Sequence, residues 1–294
     1  MDVWVHAMET GTVRIKTRQA EPRHERRERR LLDVLTDRKW TAPLPVSCYA
    51  IEHPEGMIVV DTGANTRAGK PGYEPRWHLL AQRAARFSVD AAEEVGPRLS
   101  TLGHDPRSAA TVVMTHMHGD HAGGLSYFEG VSVLMTEREA SIATGRGAEI
   151  NAYFRRNHPR WLKPSTVRFD SDPWETFDAS IALTCDGAIR LIPTPGHTSG
   201  HLSVVIEQGD HLVLLAGDAV YSEQQLQRGT IDGVAESAAQ HRDSMRRIRE
   251  LCTRRNVIVV PTHDPEGARR LAERRYTVVE DPATEHKEKS DAYG

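Results

Sequence analysis

Cysteine is scarce in this sequence. Only Cys48, Cys185 and Cys252 occur in 294 residues, each isolated, with no CxxC or CxxxC pair. That usage suggests neither a thiolate zinc site nor a disulfide framework and fits a reducing compartment. An excess of one charge is also missing, since 38 Lys and Arg stand against 41 Asp and Glu, a formal net charge of −3. A near-neutral chain has no global field for nucleic acid or an anionic membrane, so any such role needs a local patch. No apolar run reaches the ~18 residues of a membrane span, and the Met1–His6 start lacks a basic segment followed by a long apolar one. The expectation is a soluble cytoplasmic protein with no nucleic-acid or membrane partner. What the chain does have is histidine, 15 in all.

No internal repeat is visible. A run of mixed charge, His24–Arg30, reads as the solvated face of a helix or arm, and the expected organisation is one domain over residues 1–282. Within it, residues 1–40 are expected to form an N-terminal strand and charged arm, and after it residues 283–294 a mobile polar tail. Between these ends, short apolar runs alternate with helix-like stretches, the pattern of a layered α/β domain. The runs are Met57–Asp61, Ala110–His116, Val131–Thr136, Ile181–Cys185, Ile189–Pro193, Leu202–Ile206, His211–Asp218 and Val257–His263. Asp90 with Glu93 spells a capping box, and Ala92, Val95, Leu99 and Leu102 recur at helical spacing, which predicts a helix over 91–102. A second helix is expected at about 236–254, with Ala238, His241, Met245, Ile248 and Cys252 on one face. On that apolar stripe His241 reads as a packed, hydrogen-bonded histidine rather than a ligand.

The chemistry sits at the ends of the apolar runs. Four of them lead into His116, His197, Asp218 and His263, and a fifth ends in Asp61-Thr62-Gly63. Strands that terminate in His or Asp, followed by Gly or Pro turns, bring those side chains to one edge of a sheet. The densest stretch is His116-Met117-His118-Gly119-Asp120-His121-Ala122-Gly123-Gly124. A tight loop can turn His116 and His118 toward one ion and Asp120 and His121 toward a second, while the glycines let the backbone pass close by. Imidazole and carboxylate suit zinc, and also cobalt, manganese or iron; without thiolates the selection is weak.

This HxHxDH motif, followed by His197, Asp218 and His263, resembles the pattern of the metallo-β-lactamase-fold hydrolases over Met57 to His263. The resemblance implies an α/β fold, an αββα four-layer sandwich with the metal site at one sheet edge. It implies that His116, His118 and His197 hold one divalent ion, that Asp120, His121 and His263 hold another, and that Asp218 bridges them. Asp61 would orient a ligating imidazole, with a strand-end turn residue as the alternative. His201, the tempting eighth histidine, is assigned a supporting or buried role because His197 already fills the family position.

Two details resemble the N-acyl homoserine lactone lactonases, the quorum-quenching enzymes. Tyr221 lies three residues after Asp218, and the last ligand sits in His263-Asp264-Pro265-Glu266. That resemblance implies a dinuclear hydrolase that opens the lactone ring through a hydroxide bridging the two ions. Tyr221 would donate to the carbonyl oxygen and Asp120 would carry the proton to the leaving oxygen. Only 31 residues follow His263, too few for the C-terminal helical domain of glyoxalase II. The absence of a cysteine ligand argues against the zinc β-lactamases that use one. No RNA-holding module of a nuclease is evident. The alternatives are the same site acting on another ester, thioester, sulfate ester or phosphotriester, or an inactive copy serving as a ligand sensor or scaffold. The filled ligand positions weigh against that last one. Two aromatic-rich stretches could wall an acyl groove or form a homodimer surface: 64–104, with Tyr73, Trp77, His78, Leu79, Leu80 and Phe87, and 142–178, with Tyr153, Phe154, Trp161 and Trp174.

Overall fold

The computed structural model describes residues 3–279; the expected tail at 283–294 lies outside them. Every apolar run above carries a strand. In one sheet, β1 (Trp4–Ile15), β2 (Leu44–Glu52), β3 (Ile58–Val60), β4 (Ala85–Ser88), β5 (Thr111–Val113), β6 (Ser132–Thr136) and β7 (Ser165–Val167) lie in the order β4-β1-β2-β3-β5-β6-β7. In the other, β8 (Ile181–Ala182), β9 (Ile189–Pro193), β10 (Leu202–Gln208), β11 (His211–Gly217) and β12 (Val257–Pro261) lie in the order β12-β11-β10-β9-β8. The strand expected over Ile181–Cys185 is cut to two residues because Asp186 turns the chain. Its carboxylate accepts the Thr184 hydroxyl at 2.7 Å and the Ala188 N–H at 3.0 Å.

Strand residues alternate between two cores, as their period of two requires. Tyr49, Ile51, Ile58, Val60 and Val113 of the first sheet face Leu191, Val204, Val213, Leu215 and Ile258 of the second. Their neighbours Cys48, Ala50, Val59 and Val112 point outward under Leu99, Leu125 and Phe128. On the far side, Leu212, Leu214 and Val259 pack under Met245, Ile248 and Leu251 of the helix Ala238–Arg254. Each such large aliphatic side chain contributes roughly 1.5–3 kcal/mol by leaving water. The four layers are therefore helix, sheet, sheet, helix. β11 is buried at every residue, which is why it reads as a continuous apolar run without alternation.

The helix expected over 91–102 is split. A 3-10 turn at Ala91–Glu93 keeps the Asp90/Glu93 capping box, Glu94 is extended, and an α-helix begins afresh at Val95. Pro97 is the reason: in an unbroken helix it would clash with the Glu93 carbonyl, whereas the restart puts it in a first turn, where no N–H is needed. The charged run also needs correction. It enters the helix Arg27–Thr36, but Arg30 is fully buried and donates to the Ala235 carbonyl at 2.6 Å. Among the described residues no helix is long and apolar enough to cross a membrane.

Strand direction creates the site. β3 and β5 are parallel, β11 and β12 are parallel, and β9 runs with β11 because both are antiparallel to β10. The residues that follow β3, β5, β9, β11 and β12 thus emerge at one edge, and these are Asp61, His116, His197, Asp218 and His263.

Candidate metal centre

At that edge the structure brings together all seven residues singled out for metal binding. His116 Nε2 and His118 Nδ1 are 3.0 Å apart, as are His118 Nδ1 and His197 Nε2. Two nitrogens bound tetrahedrally at about 2.0–2.1 Å would stand about 3.3 Å apart, so these three converge on a space of ion size. His263 Nε2 lies 3.5 Å from Asp120 Oδ2, and Asp120, His121 and His263 form a second group whose ligand atoms lie within 4.8 Å of one another. The Asp218 carboxylate stands between the groups. Its Oδ2 is 3.4 Å from His197 Nε2 and 3.9 Å from His116 Nε2, while its Oδ1 is 3.4 Å from both His121 Nε2 and His263 Nε2.

Each imidazole has its outer nitrogen committed, which aims the other inward. His118 Nε2 donates to the Asn151 carbonyl at 3.2 Å, and His263 Nδ1 donates to the Pro45 carbonyl at 2.9 Å. His121 Nδ1 donates to Asp61 Oδ2 at 2.8 Å, and His197 Nδ1 donates to Asp232 Oδ2 at 2.9 Å. His116 Nδ1 donates to Thr115 Oγ1, whose own proton goes to Asp61. The inward atoms His121 Nε2 and Asp218 Oδ1 are buried with no hydrogen-bond partner in the protein. Orphaned buried acceptors are costly, and a hard or borderline cation held by nitrogen and oxygen satisfies both; the donor set fits divalent ions.

Electrostatics divide the imidazoles. Burial opposes charge on His121, His197 and His263, yet Asp218, with Asp61, Asp232 and Asp120 beside them, raises all three, His197 to about 9, so these would exchange a proton for a bound cation. Burial and the neighbouring His197 push His118 down to about 4, and burial with His121 and His118 holds His116 well below the usual histidine range. Both are neutral at pH 7, the form that binds metal. Burial opposes charge on Asp218, yet His263, His121 and His197 hold its carboxyl well below the usual range. His201 belongs elsewhere. Ser203 donates to the Ala216 carbonyl, Thr194 to Ser203 and His201 Nδ1 to Thr194, which leaves His201 Nε2 to accept the Asp218 backbone N–H at 3.1 Å. Its lone pair is therefore spent on orienting Asp218. His241 is packed as expected, with Nε2 donating to the Ala219 carbonyl at 2.8 Å.

Asp232 and Glu139 escaped the sequence reading. Asp232-Gly233 looks like ordinary turn chemistry. Thr136-x-x-Glu139 spells a capping box, and Thr136 does cap the Glu139 N–H at 3.0 Å. The Glu139 carboxylate, however, turns inward and accepts the Met117 N–H at 2.9 Å and the Thr198 hydroxyl at 2.8 Å, tying the His116 loop to the His197 loop. Two glycines permit the close packing. A Cβ on Gly123 would stand 2.7 Å from the Gly63 oxygen, and one on Gly196, whose φ is +145°, would stand 2.2 Å from His241 Cα. Gly123→Ala is expected to cost about 1–3 kcal/mol by overpacking, measurable as a lower denaturant midpoint at unchanged m-value.

A cavity of about 270 Å³ opens onto the cluster, touching His118, Asp120, His197, Asp218 and His263. Tyr221 joins its wall, its ring centroid 5.5 Å from that of His263 and 6.0 Å from that of His197. Burial, with Asp232 and Asp218 adding to it, holds the Tyr221 phenol well above its usual pKa, so it keeps a proton to donate. Of the expected groove residues, Tyr73, His78, Leu80, Phe87 and Phe154 line this cavity. Tyr153 instead packs in the core against His118, Trp161 and Trp174 support the cores, and Trp77 and Leu79 face solvent. The arm adds wall residues that the sequence did not reveal, Ile15, Gln19, Arg27 and Leu31.

The sequence model of the metallo-beta-lactamase superfamily matches residues 41–263. A Mycobacterium tuberculosis protein named as a probable metallo-hydrolase is 29% identical over 236 residues, covering 74% of this chain and 73% of that one. An N-acyl homoserine lactonase of Azorhizobium caulinodans is 27% identical over 231 residues, covering 76% of this chain and 83% of that one. Among solved structures, an N-acyl homoserine lactone hydrolase with the product N-hexanoyl-L-homoserine at its catalytic metal centre superimposes with a TM-score of 0.71. It shares 22% identity and covers 90% of this chain and 95% of that one, a likeness of fold.

Proposed function

The chain belongs to the metallo-beta-lactamase superfamily, and on that premise we propose that it opens the lactone ring of N-acyl homoserine lactones. The observation that carries the reading is the juxtaposition of a two-group His/Asp cluster, the protonated Tyr221 and an apolar cavity walled by Ile15, Leu80, Phe87 and Phe154. His116, His118 and His197 would hold one divalent ion, Asp120, His121 and His263 a second, with Asp218 shared; zinc suits the donors best, with cobalt, manganese or iron as substitutes. Ions bound there supply Lewis acidity toward a carbonyl oxygen and hydroxide at neutral pH.

The residues of the chain do the rest. Tyr221 donates to the lactone carbonyl oxygen as negative charge gathers on it, and so positions the ring over the cluster. Asp120 reaches both the cluster and the cavity, with a side chain 19% exposed, which suits it to take the proton of the attacking water and pass it to the ring oxygen. Water adds to the acyl carbon, the acyl–oxygen bond of the ring breaks, and the product is an N-acyl homoserine. The apolar wall holds the acyl chain.

The test is lactone hydrolysis followed by pH-stat, with short- and long-chain acyl homoserine lactones beside simple γ- and δ-lactones, thioesters, sulfate esters and phosphotriesters. Turnover of the acyl homoserine lactones is expected, lost on chelation and restored by zinc or cobalt. Turnover of another class with none of the lactones overturns the substrate and keeps the site. Tyr221→Phe is expected to lose roughly ten- to a hundredfold in rate, below or within the range for one oxyanion donor, at unchanged metal content. Loss of metal in that variant would refute its role.

A further inference from the structure

The segment 144–164 is out of balance with the rest of the chain. It carries Arg146, Arg155, Arg156, Arg160 and Lys163 against a single acid, Glu149, although the whole sequence is nearly neutral. All five cations are exposed. Arg246, Arg247, Arg254, Arg255 and Arg269 of the surface each meet an Asp or Glu. Arg146, Arg155 and Arg160 form no ion pair among the described residues. They line one open pocket of about 580 Å³, together with Arg156, Trp77 and Ile150.

Two large apolar members of that pocket are unusual in their exposure, Trp77 at 59% and Ile150 at 71%. Leu79, two residues from Trp77, adds a third large apolar side chain at 50%. His78, between them, hydrogen-bonds the Ile150 carbonyl at 3.1 Å, so the two segments form one surface. Ile150 also lines the cavity that leads to the metal cluster. Unpaired cations and exposed apolar side chains thus share a face beside the cavity mouth. A soluble polyanion would use the arginines but would leave Ile150 and Trp77 in water. A surface with anionic headgroups over hydrocarbon uses both.

We propose that this face seats the protein on an anionic lipid surface. The arginines reach headgroup phosphates, Trp77 lies at headgroup level, and Ile150 enters the acyl boundary. Docked this way, the cavity mouth faces the bilayer, and an acyl chain dissolved there enters without crossing water. That consequence rests on the lactonase reading; the docking does not.

Binding is measured without substrate, so failure of one reading is distinguishable from failure of the other. The experiment is sedimentation with vesicles of phosphatidylcholine alone and of phosphatidylcholine mixed with phosphatidylglycerol. The protein is expected to sediment with the mixed vesicles only, less so as salt rises. Each arginine near the surface contributes roughly fivefold in partitioning, so the double variant Arg155→Ser/Arg160→Ser is expected to bind roughly twenty-five-fold more weakly. Arg155→Lys/Arg160→Lys keeps binding, and Trp77→Ala weakens it several-fold at every salt concentration. Matching thermal midpoints show that the variants are folded. Equal binding to both vesicles, none to either, or an unaffected serine variant overturns the proposal. So does a result in which Trp77→Ala binds as the parent does and inorganic polyphosphate displaces the vesicles, which marks a site for soluble anions.

Discussion

Asp218→Ala is expected to release metal from both groups and to abolish turnover. Among the described residues, the carboxylate is the only one within 4 Å of imidazoles from both, with His116 and His197 on one oxygen and His121 and His263 on the other. Without it the clustered imidazoles lose their shared counter-charge in a buried space, and ions held by the two groups would have no protein carboxylate in common to offset their repulsion. The loss in rate should exceed the 10²–10³ that follows removal of one oxyanion donor, because the ions go as well. Elemental analysis of the dialysed variant beside pH-stat measures both. The His201 bond goes to the backbone N–H of residue 218, so the strand end keeps its anchor in the variant. Full metal content in Asp218→Ala would end the shared role.

The second large effect is expected at Asp61, which touches no ion. Its φ is +57°, a left-handed conformation that asparagine tolerates, so Asp61→Asn preserves the backbone. The side chain cannot preserve its bonds. Oδ1 accepts the Thr115 N–H at 2.8 Å, and Oδ2 accepts the Thr115 hydroxyl and His121 Nδ1, each at 2.8 Å. An amide NH₂ at either place sets donor against donor. With the NH₂ at Oδ2, His121 must move its proton to Nε2, the nitrogen that faces Asp218. Loss of such a partner typically costs 10–100-fold in metal affinity. The rate should fall further, since a wrong histidine tautomer in a Ser-His-Asp triad costs about 10⁴. Competition with a chromophoric chelator reads the affinity, and turnover at saturating metal reads the remainder. Parental affinity in Asp61→Asn would assign Asp61 to the turn alone.

Asp61 also shows where the sequence ceases to be informative. Its position after an apolar run was legible, and so were two roles for it, orienting an imidazole or forming a turn. The choice depends on His121, 60 residues away, and on how β3 and β5 pair. The same holds for His197 with Asp232, 35 residues on, and for Glu139 with Thr198, 59 residues on. Glu139 carries the local signal of a helix start and uses it, yet its carboxylate serves another loop. His201 and His197 are four residues apart in one Gly-rich turn, and what separates them is which nitrogen each has left over.

What the sequence by itself determined follows from short-range physics. Apolar runs with turn chemistry at their ends set the strands; His and Asp at those ends set the site's composition; Pro97 set the break in a helix whose periodicity ran straight through it. Only the tertiary structure decided which side chains orient the cluster, that Arg30 is buried, that Ile15 and Leu31 of the arm join the cavity wall, and that unpaired arginines share a face with Trp77 and Ile150. Hydrogen-bond partners and neighbouring surface residues are selected by the register and packing of elements far apart in the chain, and no local period encodes that choice.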